Sequence, residues 1–382
     1  MDLSKCPCPA YVLEESLLRK NLEKIADVRD KAGVEIVLAF KAFAMWKAFP
    51  LFKEYGFQGT TSSSLNEARL AYEEMAELTH SYLPAFTVQD FPHFLQLSKQ
   101  ITFNSLSQFE LLYPQIMASG NHSVSCGLRI NPEYSEVETD LYNPARPGGR
   151  LGIPAVKLKD GLPAGVEGLH FHSLCESDSY ALERTLQAVE KKFGHLFGQI
   201  QWLNLGGGHL ITRKDYDTAH LIDVLRSFKS RYPHIHLIME PGSAFVWQTG
   251  FLYAQVVDIV SNQGVDTAML NVSFACHMPD CLEMPYKPLI RGASKPDEEL
   301  YPYKYHMGGN SCLAGDSMGF WTFPHPLRAG DTLIFEDMIH YTVVKTHTFN
   351  GVAHPALCFL RQDREIEIWR EYYYSDYKQR MD

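Results

Sequence analysis

The chain has 382 residues, of which 45% are hydrophobic and 21% charged, so it can bury enough apolar surface to fold, which excludes wholesale disorder. Its 35 basic residues are outnumbered by 45 acidic ones, and the net charge of −10 without a long basic run argues against nucleic acid as a partner. Eight cysteines are too few for a disulfide scaffold, and no leader or membrane span is visible, so we expect a cytoplasmic protein with free thiols and no membrane contact.

Short apolar or β-branched runs alternate with helical stretches over the first two thirds of the chain. This alternation predicts parallel strands joined by right-handed crossovers. Because this many repeats fit a closed barrel better than an open doubly wound sheet, we predict an α/β fold built on a (β/α)8 TIM barrel. The predicted strands are 35–40, 58–61, 79–83, 101–104, 123–130, 168–173, 201–205 and 235–239.

Helical periodicity is clearest in the segments between these strands and disappears after Gly250. The later sequence is rich in strand-like runs, so we predict a barrel domain over 12–247 and a C-terminal β-rich domain over 248–382, to which 1–11 contribute. The stretch 131–163 holds many Gly and Pro residues and is either a functional loop or a surface excursion. The predicted helices are 64–76, 107–117, 179–193 and 218–232.

Lys41 directly follows the first predicted strand and lies in an apolar setting. Active sites of such barrels form at the carboxyl ends of the strands, where the loops converge. An amine in apolar surroundings loses hydration, which lowers its pKa and makes it a nucleophile for an aldehyde. The alternative is a surface lysine whose aliphatic stem covers the end of the strand.

Two histidines, His170 and His172, lie at the end of the sixth predicted strand. Alternation along a strand puts both on one face, where they form either a metal pair or, for His172, a ring that stacks on a planar ligand. No acidic third ligand stands at a familiar spacing, and we predict no metal site.

Glycines and a carboxylate follow the last two predicted strands. Gly206, Gly207 and Gly208 present backbone N–H groups that suit a phosphate, although an ordinary glycine turn is the alternative. Glu240 follows an apolar strand and needs a partner there, either a protonated heterocycle nitrogen or a structural salt bridge. A lysine, a stacking histidine, a glycine cradle and a buried carboxylate at one end of a barrel together predict a pyridoxal phosphate site.

These motifs resemble those of the fold type III pyridoxal-phosphate enzymes, the alanine racemase-like barrel group that contains diaminopimelate and ornithine decarboxylases. Phe40-Lys41-Ala42 resembles their cofactor lysine motif, and Glu240-Pro241-Gly242 resembles the glutamate motif at the pyridine nitrogen. The resemblance covers nearly the whole chain. It implies pyridoxal 5'-phosphate as the cofactor and a homodimer whose active sites lie at the interface.

Differences from the motifs of this family limit the range of expected substrates. Diaminopimelate decarboxylases usually have an arginine where this chain has Ser243, which argues against that substrate. Cys276-His277-Met278-Pro279-Asp280, followed by Leu282-Glu283-Met284-Pro285-Tyr286, resembles the carboxynorspermidine and carboxyspermidine decarboxylases. The resemblance implies decarboxylation of these carboxylated polyamines in polyamine biosynthesis, with diaminopimelate or another basic amino acid as the alternative substrate.

The resemblance also implies a role for each site residue. Lys41 holds the cofactor covalently, His172 stacks on its ring, and Glu240 faces the ring nitrogen. Gly206, Gly207, Gly208 and Tyr341 bind the phosphate. Cys312 resembles the residue that returns a proton to the α-carbon across a dimer interface. The candidates for holding the remote amines of the substrate are acidic, namely Glu176, Asp280, Glu283 and Asp316.

Three other functions are compatible with parts of the sequence. A racemase of this fold needs a second acid/base on the opposite cofactor face, commonly a tyrosine. A noncatalytic pyridoxal-phosphate carrier is typically a barrel alone, which the β-rich domain and Cys312 argue against. A zinc hydrolase would draw its ligands from His170, His172, Cys276 and His277.

Overall fold

The computed structural model describes residues 2–120, 123–284, 286–295 and 298–382. The chain divides into two compact units, which we call the barrel unit (Asn21–Phe245) and the sheet unit (Met1–Lys20 with Val246–Asp382). The amino-terminal boundary differs from the prediction, because residues 12–20 belong to the sheet unit. Among the described residues, no helix combines the length and apolar character needed to cross a membrane.

Strands and helices alternate through the barrel unit, whereas strands dominate the sheet unit. The strands are β1 (Ala10–Glu14), β2 (Glu35–Ile36), β3 (Leu38–Ala39), β4 (Thr60–Ser62), β5 (Thr79–Tyr82), β6 (Ser98–Phe103), β7 (Ser125–Asn131), β8 (Ile153–Pro154), β9 (Val166–His170), β10 (Trp202–Asn204), β11 (His236–Met239), β12 (Gly250–Asn262), β13 (Val265–Leu270), β14 (Tyr303–Gly308), β15 (Ser317–Phe323), β16 (Thr332–Glu336), β17 (Ala356–Leu360) and β18 (Ile366–Arg370). The α-helices are α1 (Glu15–Ala32), α2 (Phe49–Glu54), α3 (Leu65–Leu70), α4 (Phe91–Leu97), α5 (Leu106–Ser119), α6 (Ser179–Phe193), α7 (Thr218–Arg231), α8 (Ser243–Val246), α9 (Phe274–His277), α10 (Pro279–Glu283), α11 (Tyr341–Val344) and α12 (Tyr374–Met381).

The sheet of the barrel unit is parallel and closes on itself. Its order is β2-β11-β10-β9-β7-β6-β5-β4-β3, with β8 attached to β7. Strands β2 and β3 are two halves of one extended segment, interrupted at Val37, so the first half pairs with β11 and the second with β4. The Val37 N–H still donates to the Met239 carbonyl at 2.9 Å. This closure confirms the predicted TIM barrel.

Sequence signals explain where the long barrel helices begin. Asp178 precedes α6 and accepts the Ala181 N–H at 2.8 Å, and Asp217 precedes α7 and accepts the His220 N–H at 2.9 Å. These side chains satisfy backbone donors that a helix start leaves unpaired. The predicted helix 179–193 matches α6, and 218–232 ends one residue beyond α7.

An ion-pair cluster holds together the amino-terminal ends of three barrel strands. Glu35 opens β2, and its carboxylate lies 2.8 Å from Lys99 Nζ in β6 and 2.8 Å from His236 Nε2 in β11. Burial raises the pKa of Glu35, but the bond from His236 and the charge of Lys99 outweigh it and lower that pKa to about 2. Contacts at this end of a barrel serve stability rather than chemistry, because the active site forms at the opposite end.

The sheet unit is built around β12, which pairs with β1, β13 and β16. The order of its longest path is β15-β14-β13-β12-β1-β17-β18. Strand β1 pairs antiparallel with β12 and parallel with β17, so the first strand of the chain lies inside this sheet. The apolar cluster beneath it includes Cys6, Ala10, Val12, Phe251 and Cys358.

Candidate active site

Four strands of the barrel unit bring the predicted cofactor residues to one end. Lys41 follows β3, His172 follows β9, the glycines begin two residues after β10, and Glu240 directly follows β11. Because these strands are parallel and close into a barrel, their carboxyl ends meet at one mouth.

The central contact joins Lys41 to His172. Lys41 Nζ lies 3.2 Å from His172 Nε2, while the Gly207 N–H donates to His172 Nδ1 at 2.8 Å. Since Nδ1 accepts a hydrogen bond, the neutral ring carries its proton on Nε2. The Nε2–H then donates to Lys41, which accepts only as an uncharged amine.

Electrostatics agree with an uncharged pair. The side chain of Lys41 is partly open to solvent, yet the protein atoms packed around it exclude enough water to lower its pKa, and the nearby Glu240 charge opposes this shift. Burial lowers the pKa of His172 well below its ordinary value, and a protonated Lys41 would lower it further. An amine with a lowered pKa is more often neutral near pH 7, the state in which it attacks an aldehyde.

The three glycines fit where a side chain would not. A Cβ on Gly206 would lie 2.3 Å from the Phe171 carbonyl oxygen, and one on Gly208 would lie 2.1 Å from that of Leu174. The Gly206 N–H donates to Asn204 Oδ1 at 2.8 Å, and the Gly207 N–H is taken by His172. Two of the N–H groups that we expect to face a ligand are thus used inside the protein, and phosphate binding by this turn stays a prediction.

Glu240 lies among polar side chains at the end of β11. The Asn204 amide donates to its Oε1 at 2.6 Å, His80 Nδ1 lies 3.5 Å from Oε1, and His170 Nε2 lies 3.6 Å from Oε2. Burial raises the pKa of Glu240, and the bond from Asn204 opposes the rise, as a protonated Lys41 also would. Burial lowers the pKa of His80 to about 3, so this neighbour is uncharged at neutral pH.

Sequence reasoning assigned no role to three polar residues near this site, namely His80, Arg129 and Asn204. All three are buried within barrel strands. Arg129 Nη2 donates to the His172 carbonyl at 3.0 Å, and its guanidinium lies 4.7 Å from the Tyr82 ring centre. The sequence signal that could have identified them is a polar residue inside an apolar strand, because burying a polar side chain costs free energy unless it is hydrogen-bonded.

The sheet unit carries Cys312 on the loop between β14 and β15. The Cys312 N–H donates to Asn350 Oδ1 at 3.0 Å, and the thiol is exposed. Asp316 closes the same loop, because its carboxylate accepts the Ala275 N–H at 3.0 Å and the Ser311 N–H at 3.0 Å. Each oxygen of Asp316 therefore accepts one backbone N–H, and a contact with a substrate amine stays a prediction.

Two other predicted acids of the sheet unit already hold a cation. Lys345 Nζ lies 2.7 Å from Asp280 Oδ1 and 2.6 Å from Glu283 Oε2, and 5.8 Å from the ring centre of Tyr341. Roles for these side chains in substrate or phosphate binding stay predictions. Pro285, quoted with the same motif, lies outside the described residues.

The fourth predicted acid, Glu176, lies in the barrel unit on the loop after β9. It is exposed with a φ of 48°, and its carbonyl accepts a bond from Arg213 at 3.0 Å. The zinc alternative gains no support, since among 2–120, 123–284, 286–295 and 298–382 no three His, Cys, Asp or Glu side chains form a group able to hold a metal.

The residues present fit pyridoxal 5'-phosphate. Lys41 offers an amine of lowered pKa for an aldehyde, Glu240 offers a buried carboxylate for a ring nitrogen, and the glycine turn leaves no room for side chains. In the described part of the chain neither ring nitrogen of the buried His170 has a hydrogen-bond partner, so the site also retains unused polar capacity.

Residues 11–339 match the protein family described as pyridoxal-dependent decarboxylase, C-terminal sheet domain. The match spans well over half of the sequence. The chain therefore belongs to the pyridoxal-dependent decarboxylases.

Within this family the chain has similar relatives over its full length. It is 50% identical over 379 residues to a carboxyaminopropylagmatine decarboxylase of Synechocystis, covering 99% of this chain and 96% of the relative. It is 41% identical over 389 residues to a carboxynorspermidine/carboxyspermidine decarboxylase of Campylobacter jejuni, covering all of both.

A solved structure extends the likeness to three dimensions. The crystal structure of Campylobacter jejuni carboxynorspermidine decarboxylase complexed with norspermidine superposes with a TM-score of 0.87 at 41% identity, covering 97% of this chain and 99% of that one. The resemblance predicted from the sequence and the predicted fold class are both confirmed.

Proposed function

We propose that this protein uses pyridoxal 5'-phosphate to decarboxylate a carboxylated polyamine, releasing CO2 and a polyamine. The observation that carries the proposal is the Lys41 amine, which lies 3.2 Å from His172 at the mouth that also holds Glu240. Full-length relatives whose names specify carboxylated polyamines support the substrate class. The free thiols support a reducing compartment, and we propose the cytoplasm.

The cofactor, when bound, supplies an electron sink for the pair of electrons left on the α-carbon as CO2 departs. Lys41 would bind its aldehyde, His172 would pack against its ring, and Glu240 would place its carboxylate beside the ring nitrogen. The glycine turn would bind the phosphate, a role that the resemblance also implies for Tyr341. Arg129 holds the His172 backbone in place through its 3.0 Å hydrogen bond to that carbonyl.

Cys312 returns a proton to the α-carbon, and we place it in the active site of a second copy. Its loop is exposed, and next to it lie the exposed side chains of Leu313 and Phe349, which are 49% and 46% accessible. These apolar neighbours favour burial against a partner. A homodimer that shares its sites supplies that partner.

Two kinds of substrate fit the proposal, and both combine an amino-acid head with distant positive charge. Carboxynorspermidine or carboxyspermidine is favoured by the Campylobacter jejuni relative, whereas a guanidinium-ended substrate is favoured by the 50% identity to the Synechocystis relative. A terminal ammonium and a terminal guanidinium differ in shape and in the number of donors, so acidic partners can discriminate between them.

A competition assay tests the proposal. Purified protein with pyridoxal 5'-phosphate is offered carboxynorspermidine, carboxyspermidine, carboxyaminopropylagmatine and meso-diaminopimelate together, and each product is quantified by mass spectrometry. Formation of a polyamine product supports the proposal and ranks the three polyamine substrates. Lysine alone contradicts the substrate class, and no CO2 with any substrate contradicts the proposed reaction.

A further inference from the structure

The side-chain amide of Asn204 contacts three separate parts of the barrel mouth. The residue is fully buried at the end of β10. Its Oδ1 accepts the Gly206 N–H at 2.8 Å, and its Nδ2 lies 2.6 Å from Glu240 Oε1 and 2.8 Å from His80 Nδ1. All polar capacity of this amide is directed at the glycine turn, the carboxylate and one histidine.

These contacts fix the orientation of the amide. A backbone N–H can only donate, so the oxygen of Asn204 must face Gly206. Its two N–H groups then donate to Glu240 and to His80 Nδ1. His80 consequently carries its proton on Nε2, which lies 2.7 Å from Thr102 Oγ1 and donates to it. The polar chain runs from the glycine turn to Thr102 with each donor matched to an acceptor.

We infer that Asn204 is a positioning residue that ties the glycine turn to the Glu240 carboxylate, so that one side chain sets the geometry of both ends of the cofactor site. The inference rests on the proposed function, because it takes the turn as the phosphate end and Glu240 as the partner of the ring nitrogen. No other side chain described here bonds to both the Gly206 N–H and Glu240.

The hydrogen bond from Asn204 also favours the ionised form of Glu240. Burial works against that form, and the Asn204 N–H is the hydrogen bond that opposes burial most strongly. The titratable and charged groups that face Glu240 are His80, His170, Lys41 and Arg129. Burial keeps both histidines neutral, so neither supplies the compensation that Asn204 gives.

Two substitutions separate the two functions of the amide. Asn204→Asp keeps an oxygen for the Gly206 N–H but places a second carboxylate against Glu240. Asn204→Leu has a similar volume and removes every polar contact. Asn104→Asp is the matched control, because Asn104 Oδ1 also accepts a glycine N–H, from Gly152 at 2.8 Å, in the same unit but without contact to Glu240.

The variants are compared by the affinity of the purified full-length protein for pyridoxal 5'-phosphate and by the pH dependence of the bound cofactor's visible absorption band. Two adjacent carboxylates share a proton. In Asn204→Asp we therefore expect the midpoint of the band's pH dependence to shift by about one pH unit or more relative to the wild type. The cofactor Kd of Asn204→Asp should stay within about threefold of the wild-type value. The loss of buried hydrogen bonds in Asn204→Leu should raise the Kd about tenfold or more.

A pH profile of Asn204→Asp that overlays both the wild type and Asn104→Asp overturns the inference while leaving the proposed function intact. Wild-type protein that fails to bind the cofactor overturns the proposed function instead. The histidine tautomer is tested without altering Asn204, by long-range 1H–15N spectra of the wild type with the His80 signal identified by its loss in His80→Gln. A proton on Nε2 supports the inference, and a proton on Nδ1 overturns it.

Discussion

Lys41 Nζ lies 3.2 Å from His172 Nε2, and the Gly207 N–H on the other side of the ring dictates which nitrogen of His172 carries the proton. The histidine is therefore a donor to the lysine. This arrangement holds the amine uncharged before any ligand binds, which is the state that reacts with an aldehyde.

Lys41→Ala removes the amine and should abolish the absorption band of covalently bound cofactor. Turnover should fall by roughly 10³-fold or more, because the attachment point is lost and not merely weakened. Absorbance spectroscopy and a CO2-release assay measure the two effects. Lys47→Ala, which removes a nearby exposed lysine, is the control, and a normal band in the Lys41 variant would contradict the assignment.

Glu240→Gln removes a buried charge and should affect stability and activity in opposite directions. Burial raises the pKa of Glu240, so folding favours its protonated form, and the stability this provides is present below the ordinary value of 4.5 and lost as pH rises through the raised pKa. A neutral glutamine retains it at every pH. Cofactor-free Glu240→Gln should therefore unfold at higher urea than the wild type at pH 8, with no difference below pH 4.5.

The activity of Glu240→Gln should be lower, since the ring nitrogen loses its anionic partner, and we expect kcat to fall about 10²-fold. Steady-state kinetics on the same preparation measure it. A variant that is less stable at pH 8, or fully active, would contradict the placement of a charged Glu240 in this site.

Cys312→Ala should leave cofactor binding unchanged and slow turnover by about 10²-fold or more, the usual contribution of a positioned proton donor. Single-turnover kinetics in H2O and D2O measure the step directly. Cys8→Ala, which removes another exposed thiol, serves as the control. Equal rates for Cys312→Ala and the wild type would show that another group delivers the proton.

Asp316→Asn distinguishes a loop anchor from a contact to the substrate. The carboxylate accepts two backbone N–H groups, and an amide can accept only one of them, so the variant should lose about 1–3 kcal/mol of stability. Because the loop carries Cys312, kcat should fall with little change in KM. A raised KM at unchanged stability would instead favour the predicted substrate contact.

Glu35→Gln tests the ion-pair cluster at the other end of the barrel. The pKa of Glu35 is lowered to about 2, so its contribution to stability is present above the ordinary value of 4.5 and disappears as pH falls toward 2. With solvent screening we expect a loss of about 1–2 kcal/mol at pH 7. Urea unfolding at several pH values measures it, and Asp27→Asn, at an exposed ion pair, should cost less than about 0.5 kcal/mol. An equal loss at pH 7 and pH 3 would contradict the assignment.

Part of this site could be predicted from the sequence because it lies where apolar strands end. Lys41 and Glu240 each interrupt an apolar run, and a charged residue at such a point needs a specific reason. The glycine turn could be predicted because only glycine permits such close backbone contacts.

Other features depend on contacts between distant residues and leave no local signal. Asn204 lies within an apolar strand, and its importance comes from Glu240 and His80, which are 36 and 124 positions away. Lys345 pairs with Asp280 across 65 positions. Because the sequence does not reveal this ion pair, it leaves Asp280 as a candidate for binding a substrate amine. Strand β1 runs directly into α1, so no local signal marks the boundary between the two units near residue 20.

The split segment that closes the barrel also sets the order in which the enzyme can be made. Residues 35–39 leave the ribosome early, but their partner β11 ends at Met239, and Glu240 follows it. Lys41, two residues beyond the closing segment, cannot reach its final surroundings until those later residues have been synthesised and paired. The cofactor site is thus completed only after about two thirds of translation, and a nascent chain shorter than this lacks a place to hold the cofactor.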